Sequence, residues 1–400
     1  MTPWRKHPTV YEINTWVWLN ELSRAHGRRV TLGDVPREEL ERLAGYGFDA
    51  LWLMGVWERS PAARRISRTN PALLEEYART LPHYAEEDIV GSPYAITGYR
   101  VDTSLGGDEG LADFRERMRE TGLRLVLDFV PNHVAIDHAW LTEAPERIVQ
   151  SDAGALAREP QNFFRAGEGE HSRVFAHGRD PYFDGWPDTA QLDYRRAQTR
   201  EAMTRELLSV ASKCDGVRCD MAMLVTREVF LRTWGGEFDA ADAEFWPEAI
   251  AKVRAERPNF LLMAEVYWDM EYELQRQGFD FTYDKRLYDR MLHEGAPSVR
   301  AHLRADMSYQ SRLARFVENH DERRAAEAFG PVRGTASSAL AVPGCTRNWF
   351  TCPSSCACPG NGRGCAGCRR LPRRPTSARP CAICSASRPR RAWPACRSCR

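Results

Sequence analysis

Acidic residues and lysine are absent from the last 70 residues of this 400-residue chain. Residues 1–330 hold all 55 acidic residues and 43 of the 56 basic ones, whereas residues 331–400 hold 13 arginines and no other charged side chain. The two parts carry net charges of −12 and +13, which the formal net charge of +1 hides. This break in composition indicates that two unlike segments join near residue 331.

Cysteine is scarce in the first part, where only Cys214 and Cys219 occur. That scarcity excludes a disulfide-stapled secreted fold and favours a reducing compartment. No apolar run approaches the roughly 20 residues that span a bilayer, and no apolar stretch of an export signal follows residues 1–7. The sequence therefore predicts a cytoplasmic protein without a membrane partner.

The C-terminal segment contains the other ten cysteines, six of them in C-x-x-C pairs at 365/368, 381/384 and 396/399. Such pairs are typical of structural zinc sites, and a basic tail can contact nucleic-acid phosphates. However, the segment has few apolar residues to surround a metal and few aromatic ones for base stacking. Its narrow set of residue types favours a GC-rich coding sequence read out of frame. We therefore predict an aberrant Arg/Pro/Cys-rich tail over residues 336–400 and no nucleic-acid partner.

Short apolar runs alternate with amphipathic segments through residues 8–330. The predicted strands are residues 10–19, 48–54, 123–130, 216–219, 260–266, 279–283 and 313–317. This alternation predicts an α/β protein with a parallel sheet, and a doubly wound sheet would produce the same pattern. We favour a (β/α)8 TIM-type barrel because chemically capable residues follow several different strands, where a barrel places its active site.

The connection after the third predicted strand is unusually long. About 60 residues rich in Gly, Pro and aromatics precede the helix predicted at residues 197–212. Since this exceeds an ordinary connection, we predict a small inserted domain at residues 134–195, between barrel parts at 1–133 and 196–335. An eighth strand could begin at residues 339–344, where the pattern stops, so that strand is predicted to be missing or disrupted.

Four carboxylate-bearing segments lie at the ends of predicted strands, at residues 128–133, 216–220, 263–265 and 316–321. A lone Asp at such a place is most often a helix N-cap. Four segments in succession, two of them with an adjacent Asn-His pair, are harder to explain by capping. In order and spacing they resemble the four signature regions of the α-amylase family (glycoside hydrolase family thirteen), and the resemblance extends over residues 8–330.

The resemblance implies that Asp220 is the nucleophile, Glu265 the general acid/base and Asp321 a third carboxylate that holds sugar hydroxyls. Retaining hydrolysis needs one ionised carboxylate and one protonated carboxyl, about 5–5.5 Å apart. Arg218 precedes Asp220 by two residues, so both side chains point to the same side of the sheet, and its charge is predicted to keep Asp220 ionised. Burial near the other carboxylates is predicted to raise the pKa of Glu265.

In addition to Arg218, the resemblance implies three further residues that bind the sugar. His133 and His320 would donate hydrogen bonds to its hydroxyls, and Tyr94 would stack on its ring. Outside the resemblance, a lone histidine near a strand end is more often a structural residue, and Tyr94 could equally belong to the core.

A structural calcium ion is possible but not predicted. In the family's pattern, Asn132 often ligates calcium, and such an ion takes six to eight oxygen ligands. Calcium-binding members usually carry a His four residues after the nucleophile and often a Lys before it, where this chain has Leu224 and Met223. That departure also puts in doubt the usual contacts to a second sugar.

The leading hypothesis is a retaining hydrolase or transglycosylase that acts on α-linked glucosides through a covalent glycosyl-aspartate. Its substrate would be a malto-oligosaccharide, a starch- or glycogen-like polymer or a small glucoside. The alternative is an inactive or non-catalytic carbohydrate-binding relative, because a barrel without its eighth strand exposes two sheet edges. Family members also usually add a C-terminal β-domain, which the tail cannot supply. The oligomeric state stays open.

Overall fold

A seven-stranded parallel sheet forms the centre of the computed structural model, which describes residues 3–330 apart from 82, 241 and 242. The strands are β1 Val10–Asn14, β2 Ala50–Met54, β3 Arg124–Phe129, β4 Gly216–Cys219, β5 Leu261–Ala264, β6 Phe281–Tyr283 and β7 Leu313–Ala314. Each strand pairs in parallel with the next one along the chain. A doubly wound sheet would reverse its strand order at a switch point. The sequential order therefore confirms the (β/α) barrel type.

Helices connect the strands and cover the sheet. They are α1 Thr15–His26, α2 Arg37–Gly45, α3 Pro61–Thr69, α4 Pro71–Thr80, α5 Gly107–Glu120, α6 Trp140–Glu143, α7 Ala153–Arg158, α8 Ala197–Lys213, α9 Arg227–Trp234, α10 Phe245–Glu256, α11 Glu271–Arg276, α12 Lys285–His293, α13 Ala296–His302, α14 Met307–Gln310 and α15 Ala325–Phe329. Helix α5 shows why they pack: Leu111, Phe114 and Met118 share one face and are buried, each contributing about 1.5–3 kcal/mol. Within the described residues no helix combines the length and apolarity needed to cross a membrane.

The first predicted strand is wrong in its second half. Residues 10–19 read as one β-like run because Trp16, Val17 and Trp18 have high β-propensity. In the structure the strand ends at Asn14, whose side-chain oxygen accepts a hydrogen bond from the Val17 amide and begins α1. Burial of Trp18 against the core then overrides local propensity, as tertiary context commonly does.

Two excursions leave the barrel. After β2, the short strands Trp57–Arg59 and Ile96–Val101 pair antiparallel, with α3 and α4 between them, and the sequence did not predict this unit. After β3, residues 133–191 form two small antiparallel sheets. These sheets contain His133–Ala135 with Thr189–Gln191, and Gln150–Ser151, Phe163–Ala166 and Arg173–Ala176. The second excursion occupies the region of the predicted insertion, whose boundaries at 134 and 195 stay predictions.

In the described residues, β1 and β7 are the outer strands of the sheet. The eighth strand predicted near residues 339–344 and the tail predicted at 336–400 lie outside those residues. So do the C-x-x-C pairs.

Gly216 is the first residue of β4, and it lies against β5 with no room for a side chain. A Cβ atom added there would lie 2.9 Å from both Cβ and O of Leu261. We expect Gly216→Ala to lower the free energy of unfolding by about 1–3 kcal/mol, the usual cost of overpacking, as measured by urea denaturation. Gly45→Ala is the control, because an added Cβ has no atom within 4 Å at that helical position. Equal stability of both variants would contradict the close approach of β4 and β5.

Candidate active site

Two buried carboxylates lie side by side at the carboxyl ends of β4 and β5. Asp220 follows β4 directly, and its amide donates to the carbonyl of Phe129 at 2.8 Å. Glu265 follows β5, and its amide donates to the carbonyl of Cys219 at 3.0 Å. Because the hydrogen bonds between strands continue to these two residues, the sheet itself fixes their positions.

The guanidinium group of Arg218 holds both carboxylates. Nη1 donates to Asp220 Oδ1 at 2.9 Å, and Nη2 donates to Glu265 Oε2 at 2.7 Å. Nη1 also lies 3.5 Å from Asp128 Oδ1 on β3. The Arg218 side chain has no solvent exposure, so these are low-dielectric interactions that water does not screen. The sequence predicted the contact with Asp220 but not the second contact with Glu265.

Aromatic rings surround the Arg218 guanidinium. Its central carbon lies 5.3 Å from the ring centroid of Trp52, 5.2 Å from that of Tyr94 and 5.8 Å from that of Tyr283. Nε also donates to the Tyr283 hydroxyl at 3.3 Å. Cation–π contacts of this kind stabilise a cation that has been removed from water, so the rings favour a dry, charged group beneath the site.

Three donors converge on the Glu265 carboxylate. Its Oε2 accepts from Arg218 Nη2 and from the backbone amide of Met221, the latter at 2.7 Å. Its Oε1 accepts from the Tyr267 hydroxyl at 2.6 Å. The amide of Met221 can point at Glu265 because this residue has a left-handed backbone with φ of 41°, a conformation that non-glycine residues rarely adopt.

The protonation of Asp220 differs from the sequence-based expectation. Burial raises the pKa of this carboxyl to about 8, and the charges of Glu265, Asp128 and Asp321 act in the same direction against Arg218. Arg218 therefore does not hold the pKa of Asp220 at or below its ordinary value, because its single charge is shared among several carboxylates. Burial likewise raises the pKa of Asp128 to about 6 despite the nearby arginine.

His320 connects β1 to the third carboxylate. Its Nδ1 lies 2.6 Å from Glu12 Oε1, and its Nε2 lies 2.7 Å from the Tyr94 hydroxyl and 3.2 Å from Asp321 Oδ2. Burial opposes protonation of His320, but the hydrogen bond and charge of Glu12 raise its pKa. The Asp321 side chain is about half exposed (47%), which leaves it accessible from the solvent side of the site.

The structure places Tyr94 and His133 close to this cluster, but with protein partners of their own. The Tyr94 ring stacks on His320 at a centroid distance of 5.6 Å. The His133 ring packs against Trp186 at 5.2 Å, and burial lowers the pKa of His133 to about 4, so it is neutral at physiological pH. Contacts of either residue with a sugar stay a prediction.

Asn132 is not arranged as a calcium ligand. Its side-chain oxygen accepts from Gln191 Nε2 at 3.1 Å, and its Nδ2 donates to Gln191 Oε1 at 3.3 Å, both residues being buried. Met223 and Leu224 are buried apolar side chains. Within the part of the chain that the structure describes, no group of three or more His, Cys, Asp or Glu residues could hold a metal ion. These residues do not fit the calcium site that the family pattern implies.

Sequence reasoning missed several members of the site, among them Glu12 and Tyr267. Glu12 lies within the strand predicted at residues 10–19, where a carboxylate between the apolar Tyr11 and Ile13 could have marked it. Tyr267 follows Glu265 by two residues and thus points to the same side of the chain, but a tyrosine in a loop carries no specific sequence signal.

Acidic residues from successive strands, gathered around a buried arginine, define a (β/α)-barrel protein with its site at the carboxyl ends of the strands. The chain belongs to the α-amylase family, because residues 29–342 match the family's sequence model for "Alpha amylase, catalytic domain". The resemblance stated from the four signature segments is therefore confirmed.

Individual relatives are distant. "Alpha-amylase 3" of Dictyoglomus thermophilum is 19% identical over 82% of this chain and 59% of its own length. "Alpha-glucosidase" of Culex pipiens is 22% identical over 82% of this chain and 58% of its own. The chain thus spans less than three-fifths of either relative.

Solved structures share the fold. A trehalose-6-phosphate hydrolase from Bacillus licheniformis aligns with a TM-score of 0.56 and 14% identity, covering 82% of this chain and 60% of that one. A debranching enzyme from Nostoc punctiforme aligns with a TM-score of 0.54 and 16% identity over 85% and 70% of the two chains. At such identities the likeness extends to the fold alone.

Proposed function

We propose that this protein is a retaining glycosidase or transglycosylase that acts on α-linked glucosides. The observation that carries the proposal is the single buried guanidinium of Arg218 that holds both Asp220 and Glu265. Retaining enzymes need two carboxyl groups at short separation, and adjacent nitrogens of one planar group keep these two close. Neither carboxylate would be held at this depth if it only capped a helix.

The reactive form of the pair has its proton on Glu265 and leaves Asp220 ionised. In the first step, an oxygen of this ionised Asp220 attacks the anomeric carbon while the bond to the leaving oxygen breaks. The proton of Glu265 moves to that oxygen, and a glycosyl ester on Asp220 results. In the second step, Glu265 takes a proton from water or from a sugar hydroxyl, whose oxygen displaces Asp220 from the anomeric carbon. Two inversions give net retention, and the half-exposed Asp321 would bind sugar hydroxyls.

The substrate class follows from the family and not from a single contact. Relatives named α-amylase and α-glucosidase support an α-linked glucosyl unit. We infer no preference between water and a sugar as the acceptor. A non-catalytic carbohydrate-binding relative remains the alternative, and the presence of all three carboxylates argues against it.

Trapping of the intermediate tests the proposal. The full chain should react with 5-fluoro-α-glucosyl fluoride, because the ring fluorine slows both steps while the fluoride leaving group keeps the first step fast enough for the ester to accumulate. Mass spectrometry of the intact protein should show one added glycosyl group, and digestion should place it on the peptide that contains Asp220. Asp220→Asn is the control. An unlabelled wild-type chain, or label on another carboxyl group, would overturn the proposed mechanism.

A further inference from the structure

In the loop after β5, the side chain of Tyr267 contacts the carboxyl group of Glu265, two residues earlier in the chain. Tyr267 donates from its hydroxyl to Glu265 Oε1 at 2.6 Å and is only partly exposed. Val266 between them is buried on the other side, as expected for alternating side chains in an extended segment. The contact is therefore a consequence of the local backbone and does not depend on a long, flexible side chain.

A strained turn fixes this loop. Trp268 and Asp269 have left-handed backbones with φ of 62° and 63°, which costs free energy in residues other than glycine. The ring of Trp268 packs edge-on against Tyr182 at 5.0 Å, and the carboxylate of Asp269 pairs with Arg286 at 2.7 Å. These contacts hold the turn immediately after Tyr267 and so keep its hydroxyl beside Glu265.

The two oxygens of Glu265 are not equivalent. Oε2 accepts from two N–H groups, those of Arg218 and Met221, which occupy its acceptor directions. Oε1 accepts from Tyr267 alone among the described residues. An acidic proton on Glu265 must therefore reside on Oε1, where it can be given to a leaving oxygen.

We propose that Tyr267 is a positioning residue that determines when Glu265 carries the proton of the reaction. Its hydroxyl donates to Oε1, and this hydrogen bond stabilises the carboxylate form of Glu265. When Glu265 acts as the acid, the Tyr267 hydroxyl turns and accepts a hydrogen bond from the protonated Oε1. After the leaving group departs with that proton, Tyr267 donates to the carboxylate again and supports it as the base. Tyrosine keeps its own proton throughout.

This role rests on the proposed function, and it depends on the charges around Glu265. The ionisable groups that face it are Arg218 and Asp220 from β4, Tyr283 from β6, Asp321 beyond β7 and Tyr267 from its own loop. Asp220 accepts from Arg218, whereas Glu265 accepts from three donors. Removal of the Tyr267 donor therefore shifts the preference for the proton toward Glu265.

The test compares wild type and Tyr267→Phe on two donors across pH. Maltose has a leaving group that must be protonated, whereas α-glucosyl fluoride releases fluoride with little need of an acid. In Tyr267→Phe we expect the alkaline limb of kcat/KM for maltose to move upward by about one to two pH units, the effect of a lost hydrogen bond to a charged group. The profile for the fluoride should show no such upward movement, because this donor needs ionised Asp220 but little help from an acid. Tyr272→Phe is the matched control, because Tyr272 is an exposed tyrosine on α11 five residues away.

An equal loss on both donors would mark Tyr267 as merely structural, and an unmoved maltose limb would overturn the proposal. A readout without catalysis separates this from failure of the proposed function. In protein labelled with ¹³C at glutamate carboxyl carbons, the Glu265 signal is identified by its loss in Glu265→Gln. Its titration should move to higher pH in Tyr267→Phe and stay unchanged in Tyr272→Phe. If no donor is turned over but the titration moves, the proposed function fails while the contact to Tyr267 stands; an unmoved titration overturns the proposal.

Discussion

Replacement of Arg218 with methionine is expected to lower the free energy of unfolding by about 3–5 kcal/mol at pH 8.5, the usual cost of removing one partner from a buried ion pair. Methionine fills much of the space but leaves Asp220, Glu265 and Asp128 around an apolar side chain. In the wild type these three carboxylates share one cation. In the variant they would repel one another in a site with little water. Urea denaturation followed by circular dichroism measures the change.

The loss should depend on pH in a direction that identifies its cause. Arg218 stabilises the ionised forms of its neighbours, and burial already raises the pKa of Asp220 to about 8 and that of Asp128 to about 6. As pH falls through this window, these carboxyls become neutral in the folded protein, and the absence of the cation matters less. We therefore expect the loss to be smaller at pH 5 than at pH 8.5.

Arg115→Met is the matched control for this experiment. Arg115 is a buried arginine on α5 that pairs with Asp215 at 2.6 Å, away from the site. Although burial opposes it, hydrogen bonds from Arg115 and its neighbours lower the pKa of Asp215, so this carboxylate stays ionised throughout the window. In the variant, Arg119 and the amide of Leu125 still contact Asp215, so its loss of stability should depend less on pH than the loss in Arg218→Met. A loss in Arg218→Met that depends on pH no more than the loss in Arg115→Met would contradict the charge-based explanation.

The barrel could be predicted from the sequence because buried parallel strands leave a strong local signal. Residues 123–130 and 216–219 are continuous apolar runs, and the structure has strands at Arg124–Phe129 and Gly216–Cys219. Prediction failed where local preference and burial disagree. Residues 15–19 carry β-forming side chains yet begin a helix, because Asn14 caps it and the core takes up Trp18.

The site could be predicted only in part, for the same reason. Side chains two residues apart in a strand point to the same side, and this alternation predicted that Arg218 lies beside Asp220. The contact of Arg218 with Glu265 joins residues 47 positions apart, and nothing local encodes it. The raised pKa of Asp220 was also beyond prediction, because it results from the summed burial and charge of several strands. The sequence identifies which residues could be catalytic, whereas the pKa of each depends on the burial and charges of the folded cluster.

Asp220→Asn is expected to abolish glucosyl transfer and to stabilise the fold. Loss of the nucleophile should reduce kcat/KM by on the order of 10⁴ to 10⁶-fold, as found when a covalent catalyst is removed. Stability should change in the opposite direction, because the site holds a carboxyl group in surroundings that disfavour its charge. Sites that are built for chemistry often carry such a cost.

The sign of the stability change follows from proton binding. In the unfolded chain an aspartate ionises near pH 3.9, whereas in the fold burial raises the pKa of Asp220 to about 8. Between these values the folded protein binds more protons than the unfolded one, so wild-type stability falls as pH rises. Asparagine cannot ionise and escapes this decline. The variant should match wild type near pH 4 and exceed it by about 1–4 kcal/mol at pH 8.5.

Urea unfolding of both proteins at pH 4.5, 6.5 and 8.5 measures this difference. Asp321→Asn is the comparison, since its half-exposed side chain is partly solvated and the gain should be smaller. A variant that is less stable than wild type at pH 8.5 would show that Arg218 gains more from the Asp220 charge than burial costs. In that case, the raised pKa assigned to Asp220 would be wrong, and Glu265 would be the carboxyl group that carries the proton.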